Sequence, residues 1–262
     1  LEIRKTGLIL LLLPVMLSLL FLFLPYKYSS INLEERLLPP SISHPFGTDS
    51  LGRDLAKRTA IATFISVSIA IIVVLITSSM GTLLGMFSGY TGGFVDELVM
   101  RTVDLLLAFP GFLLALAIVA LMGGGYWNLV FALSFTGWTS YARLARGEAI
   151  KLREEDFVKS TRVLGGSHLW ILRHHLFPHI LPLIRIQAVL SVAGVILAES
   201  SLSFLGLGLQ PPTPSLGGMI DEGRAFLFEA PWISVFPGLF LFCLIMGLLL
   251  TVEKKNSQSL IS

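Results

Sequence analysis

Residues 143–185 read RLARGEAIKLREEDFVKSTRVLGGSHLWILRHHLFPHILPLIR. They hold eight of the chain's 19 Lys and Arg residues: Arg143, Arg146, Lys151, Arg153, Lys159, Arg162, Arg173 and Arg185. Long apolar runs flank this stretch on both sides. Inside it, Glu154–Glu155–Asp156 opens a short amphipathic helix over 154–164, with acids at the end where the helix dipole is positive. Phe157, Thr161 and Leu164 recur at helical spacing on one face, and Gly165–Gly166 ends the helix. Ser167 is placed to cap a second helix over 168–177, which Pro178 closes or kinks. A helix–glycine turn–helix with an apolar knob at Phe157 suits insertion into a groove on a soluble partner. It equally suits a helix lying on lipid headgroups with its arginines on phosphate.

The rest of the chain explains why so charged a loop needs a purpose. Of 262 residues, 54% are hydrophobic and 14% charged, and mean hydropathy is +0.80. A soluble domain carries about 25% charged residues, so the solvent for much of this chain is lipid. Six stretches approach the ~20 apolar residues that cross a bilayer: 7–25, 61–88, 105–122, 127–142, 182–203 and 234–252. The fourth contains Asn128, Ser134, Thr136, Thr139 and Ser140 and is expected to face protein or a pore. The first follows Arg4 and Lys5 like a signal peptide, but no small-residue cleavage pattern follows it, and it reads as an uncleaved anchor. The expected fold is therefore all-α and integral to the membrane, with about six spans. Its parts are an N-terminal tail, anchor and outer segment over 1–60, a five-helix core over 61–252 with an inner loop at 143–181, and a tail over 253–262.

Orientation follows from the basic residues. With the N-terminus inside, Lys27, Arg36, Arg53, Lys57, Arg58 and Arg224 are outside, and the other thirteen of the 19 are inside. This bias places both termini and the charged loop in the cytoplasm. Net charge is only +2 and gives no reason to invoke nucleic acid. The lone Cys243 excludes an internal disulfide and reads as a buried small hydrophobe.

Gly81, Gly85 and Gly89 recur every four residues on one face of the second span. Small residues at this spacing let backbones approach closely, so they predict a seam against another span or a partner subunit. Glu199, in LAESSLSFLG near the outer end of the fifth span, is the notable intramembrane charge. With Ser200 and Ser203 it is a candidate for the translocation path or gate; the alternatives are snorkelling or bonding to Ser200, Ser201 or a neighbouring helix end. His175 and His179 are four apart, as two metal ligands on a helix would be, but with Pro178 between them they read as interface or headgroup-facing residues. No phosphate-binding G-x-x-x-x-G-K-[ST] loop, G-x-S-x-G elbow or H-E-x-x-H is present. We expect no catalytic residues, no metal site and no ATP bound by this chain. The segments 26–60 and 206–233 are too polar to span. Asp49, Arg53 and Asp54 are expected to form local ion pairs, which are worth little if exposed. Short helices are expected at 51–58 and 216–228. These segments serve either as a gate or seat for a donor protein, or as a rigid cap.

With those residues in view, the chain resembles the inner-membrane permeases of binding-protein-dependent ATP-driven importers. It is most similar to the second permease subunit of dipeptide, oligopeptide and nickel importers. FVKST…LGGS matches the family's coupling-helix element. HPFGTDSLGRD at 44–54, GYTGGFVDELVMRTVDLLLAFP at 89–110 and ESSLSFLGLGLQPPTPSLGGMIDEGR at 199–224 extend the match over nearly the whole chain, followed by APW at 230–232 and FPG at 236–238. There are departures. The family's E-A-A triplet falls on Lys159, Ser160 and Thr161, leaving Gly165 as the shared letter, and the end reads GLLLTVEKKNSQSLIS rather than a GDGLRD-type tail.

The resemblance implies a heterodimer with a homologous permease, two ATP-binding subunits that carry ATP and magnesium, and an extracytoplasmic substrate-binding protein. It also implies an ATPase contact through Phe157, Val158, Lys159, Ser160, Thr161, Leu164 and Gly165. Peptide is the first substrate choice, with nickel or a nickel chelate as the alternative. A different class, the ion-coupled secondary carrier, usually shows charged or broken helices near the bilayer midplane; dependence on a separate ATPase separates the two. An intramembrane enzyme would need paired carboxylates or an activated nucleophile inside the spans, and neither is seen.

Overall fold

The computed structural model describes residues 2–23 and 28–252. Among them the chain is helical, with no strand longer than an isolated bridge between Thr48 and Asp54. Ten α-helices follow in order: α1 Glu2–Leu22, α2 Leu55–Thr91, α3 Gly93–Leu107, α4 Gly111–Met122, α5 Tyr126–Arg153, α6 Asp156–Val163, α7 His168–Ile171, α8 Phe177–Phe204, α9 Leu216–Arg224 and α10 Trp232–Val252. The expected tail over 253–262 and residues 24–27 lie outside the described residues.

Four helical runs are long and apolar enough to cross a membrane: α1, α2, α7–α8 together, and α10. A fifth arises if α3 and α4, bent by 81° at the break between them, form one span. Two of the six expected stretches take a form other than a plain apolar helix. The stretch 105–122 is interrupted at Ala108–Pro110, where proline has no N–H to carry the ladder on. The stretch 127–142 opens α5, which continues through Arg143 and Arg146 to Arg153. Its hydroxyls and late charges make it less apolar than the other long helices, and no proline interrupts GEAIKLR. The helix expected at 51–58 is the first turn of α2, begun by Asp54, whose Oδ1 accepts from the Lys57 amide at 2.7 Å. Pro178 does not stop the second loop helix. A π-turn over Leu172–Leu176 joins α7 to α8, and Pro178 falls in the first turn of α8, where a missing N–H is tolerated.

Contacts divide the chain into two compact units. The first comprises Leu1–Ile71, Ile118–Val130 and Leu190–Ser262; the second comprises Ile72–Ala117 and Phe131–Val189. In the first unit α1 lies against α10, with Gly7 facing Leu250 and Gly247 facing Leu11 so closely that a Cβ at either would force a shift. Phe46 stacks on Phe236 at 4.0 Å and meets Phe21 and Phe240 edge-on. This aromatic knot centres a core that includes Leu55, Leu216, Met219 and Leu244.

In the second unit the glycine seam is internal. Cβ atoms at Gly81, Gly85 and Gly89 would collide with the carbonyl oxygens of Trp138, Ala142 and Arg146, which are themselves four apart on α5. The expected seam is therefore between spans of this chain. Charge fastens α3 to α5: Arg146 holds Asp96 with two hydrogen bonds of 2.6 Å, and Arg143 reaches Asp104 at 3.0 Å.

Candidate functional site

The loop helix is built much as its letters suggest, but it faces another way. Ordered turns at Glu154 and Glu155 lead into α6. Hydrogen bonds from Arg153, then Lys159, hold the exposed Glu154 carboxyl below its ordinary range. Val158 is fully buried and anchors the helix among Leu152, Ile171, Leu172 and Leu176. Gly165, in the left-handed region at φ 83°, ends it, and the Gly166 amide reaches the Thr161 carbonyl at 2.9 Å. Ser167 caps α7 through the Trp170 amide, as its position suggested.

Phe157 is not a bare knob. Its ring stacks on His179 at 5.4 Å and meets His175 edge-on at 5.3 Å. Thr161 donates its hydroxyl proton to the Phe157 carbonyl, so the 3.1 Å contact between Thr161 Oγ1 and His175 Nε2 must be donated by the imidazole. The Phe157–Thr161 face is thus turned onto the π-turn and the start of α8. The free apolar surface lies at the glycine turn: Val163 and Leu164 are each 87% exposed, Leu169 is 75% exposed, and Trp170 is partly exposed. Lys159 and Ser160 are exposed, with Lys159 Nζ 3.5 Å from Glu154. The histidines serve this packing; among the described residues no three His, Cys, Asp or Glu side chains gather as a metal site would require.

The second candidate, Glu199 with Ser200 and Ser203, is a closed hydrogen-bond cluster in the first unit. Glu199 is fully buried, and Ser200 and Ser203 are nearly so. Glu199 accepts from Ser66 of α2 at 2.7 Å, Ser203 at 2.9 Å and Ser200 at 3.4 Å. Three hydroxyl donors on one carboxylate make the burial tolerable. Gly217 of α9 lies on the Ser200 carbonyl with no room for a Cβ.

A third cluster extends the local ion pairs expected among Asp49, Arg53 and Asp54. Asp49, Arg53, Asp54 and Arg58 are buried rather than surface ion pairs. Asp49 Oδ1 accepts from the amides of Leu51 (2.8 Å) and Arg53 (3.0 Å), and Oδ2 accepts from Arg53 Nε (2.7 Å) and from Arg58. Both arginines also hold Glu222 of α9: Arg58 with bonds of 2.8 and 3.0 Å, Arg53 at 3.2 Å. Nearby, His44 Nδ1 lies 2.8 Å from Asp54. HPFGTDSLGRD is thus a knot: Phe46 in the aromatic core, Gly47 and Gly52 at positive φ, and Asp49 as hub. The missed signal was Glu222, 169 residues from Arg53, in the other long matching stretch.

A helical membrane chain with a projecting, glycine-ended loop helix and no nucleotide motif has the form of a transport permease. The chain belongs to the family described as "Binding-protein-dependent transport system inner membrane component", whose model matches residues 81–253. It is a multi-pass permease of the ATP-driven importer class. It is 37% identical to the dipeptide transport system permease protein DppC of Alkalihalophilus pseudofirmus over 221 residues, covering 84% of this chain and 73% of that one. It is 41% identical over 208 residues to the glutathione transport system permease proteins GsiD of Shigella dysenteriae serotype 1 and Escherichia coli O6:K15:H31, covering 79% of this chain and 69% of each of theirs.

Proposed function

We propose that this chain is one half of the translocation path of an importer for di- or oligopeptides. It pairs with a homologous permease, receives substrate from an extracytoplasmic binding protein and is driven by two ATP-binding subunits that hold the nucleotide and magnesium; this chain itself binds no cofactor. The observation that carries the reading is α6: anchored by Val158, ended by Gly165, and followed by an exposed apolar turn on the most basic loop of the chain. Such a turn fits a groove on a soluble ATPase, which would press on it and tilt α5 and α8, the helices it joins. The positive-inside bias supports a cytoplasmic loop, cytoplasmic termini and extracytoplasmic 28–54 and 206–231. Peptide substrates are supported by the dipeptide and glutathione relatives, and nothing in the chain favours nickel over them.

In this reading Val158 and Gly165 shape the docking element, and Leu164, Lys159 and Ser160 are presented to the ATPase with Val163, Leu169 and Trp170. Phe157 and Thr161 set its angle on α8. Glu199, Ser200 and Ser203 fasten the end of α8 to α2 and α9, so they govern a gate by holding helices together rather than by touching substrate. The test is ATP hydrolysis by the reconstituted complex with Leu164→Ala or Phe157→Ala in this chain. We expect assembly to persist and stimulation by peptide-loaded binding protein to fall with both. Unchanged stimulation and uptake would leave the loop as a membrane-surface helix. Uptake that needs no ATPase would instead favour an ion-coupled carrier.

A further inference from the structure

The four charges at the start of α2 are not equivalent. Asp49 has a side chain only 1% exposed and four donors, all from residues within nine positions of it. It holds its own turn together. Glu222 comes from another helix, and its side chain is 35% exposed, so the place it occupies opens to water. Arg53 and Arg58 bring two positive charges to that place, and Asp49 neutralises one. Remove Glu222 and a positive pocket remains, lined by two guanidinium groups already oriented for a carboxylate. The Arg58 Nε is buried without a hydrogen-bond partner, so Arg58 spends its fork on Asp49 and Glu222. The helix that carries Glu222 is otherwise fixed by close approach: Gly217 on Ser200, Gly223 on Ser234, and Ser234 Oγ on the Ile220 carbonyl at 3.0 Å.

We propose that Arg53 and Arg58 form a carboxylate seat whose occupant is Glu222, and that Glu222 is thereby a positioning residue that sets α9 for the response to the binding protein. The role in transport rests on the importer reading above; the seat itself does not. A buried ion pair is a poor device for stability alone, because desolvation offsets most of its attraction, but it fixes geometry. Here it fixes α9 to α2 through a carboxylate that water can reach.

The experiment is chemical rescue. Glu222→Ala is made in this chain of the full complex and assayed in sodium formate, with equal sodium chloride as control. We expect assembly and basal ATP hydrolysis to persist and stimulation by loaded binding protein to fall about tenfold, a coupling loss of ordinary size. Formate, but not chloride, restores at least half of it, and Glu222→Asp retains most of it. Thermal unfolding in detergent reads the seat without transport: formate raises the midpoint of Glu222→Ala more than that of the unaltered complex. If Glu222→Ala does not assemble, Glu222→Ser, which also leaves the seat open to formate, takes its place. Unchanged stimulation in the variant, or formate no better than chloride in both readouts, overturns the proposal, as does failure of both variants to assemble in formate. A complex that shows formate-dependent unfolding but no stimulation even when unaltered would count against the importer reading and not against the seat.

Discussion

Residues 44–58 with 199–224, and the turn between α6 and α7, are both polar connections between apolar helices, yet they are held in opposite ways. In the first, the polar side chains that hold the fold are buried with named partners: His44 with Asp54, Asp49 with Arg53 and Arg58, Glu199 with three serines. In the second, one buried valine fixes the helix and the largest apolar side chains stand in solvent. A buried charge specifies its neighbour because an unmatched one costs several kcal/mol. An exposed leucine specifies nothing by itself; under the proposed function its partner lies on another chain. The first region is held by this chain's own residues, and the second is the one that the proposed docking would cover.

That contrast predicts a ranking. Gly85→Leu should do the most damage, beyond the ~3 kcal/mol of ordinary overpacking, because the Ala142 backbone rather than a side chain blocks it; no folded complex should be recovered by size exclusion. Asp49→Asn leaves two buried arginines short of a full counter-charge and should cost about 3 kcal/mol, read as a lowered unfolding midpoint with α6 function intact in whatever assembles. Glu199→Leu strands the Ser66 and Ser203 hydroxyls and should cost about 1–3 kcal/mol. In the other region the sign of the comparison reverses. Trp170→Ala should change stability by less than about 0.5 kcal/mol while lowering binding-protein-stimulated ATP hydrolysis several-fold. If it lowers the midpoint as much as Glu199→Leu does, the two regions are not different in kind.

The smallest effect is expected from pH at Glu154. Its folded pKa is depressed, so its contribution is complete above the ordinary glutamate value of about 4.3 and is lost only as pH falls through the lowered value. ATPase coupling should therefore be flat in Glu154→Gln relative to the unaltered chain between pH 6 and 8 (the ~2-unit window in which neither carboxyl state changes).

The sequence made some of this architecture readable and hid the rest for physical reasons. The α6 helix, its glycine stop and the Ser167 cap follow from local chemistry, and local chemistry is what a short window contains. The Gly81–Gly85–Gly89 face was visible, but its partner was not, because Ala142 and its neighbours are small and carry no mark of their own. The anchor of α6 was not legible: Phe157 is the largest apolar residue on the helix, yet Val158, one position on, is the one that is fully buried. Spacing alone cannot say which of two adjacent apolar residues finds the core. The local pair of Asp49 with Arg53 was legible, but the burial of the cluster was not, because Glu222 is 164 residues beyond Arg58 and a pairing at that distance leaves no local trace.

The π-turn at Leu172–Leu176 carries a further consequence. It holds one residue more than an α-helical ladder would use over the same rise. Deleting one residue there would let the ladder close as plain α with α7 kept near its present bearing, whereas deleting one from the plain α-helical turn that follows would swing α7 by roughly 100°, one residue's share of a 3.6-residue turn. Leu169 and Trp170 would then point along a new bearing with no letter of the docking turn altered. The aim of this surface is set by counting rather than by composition, so a change of length can redirect it where a substitution can only weaken it.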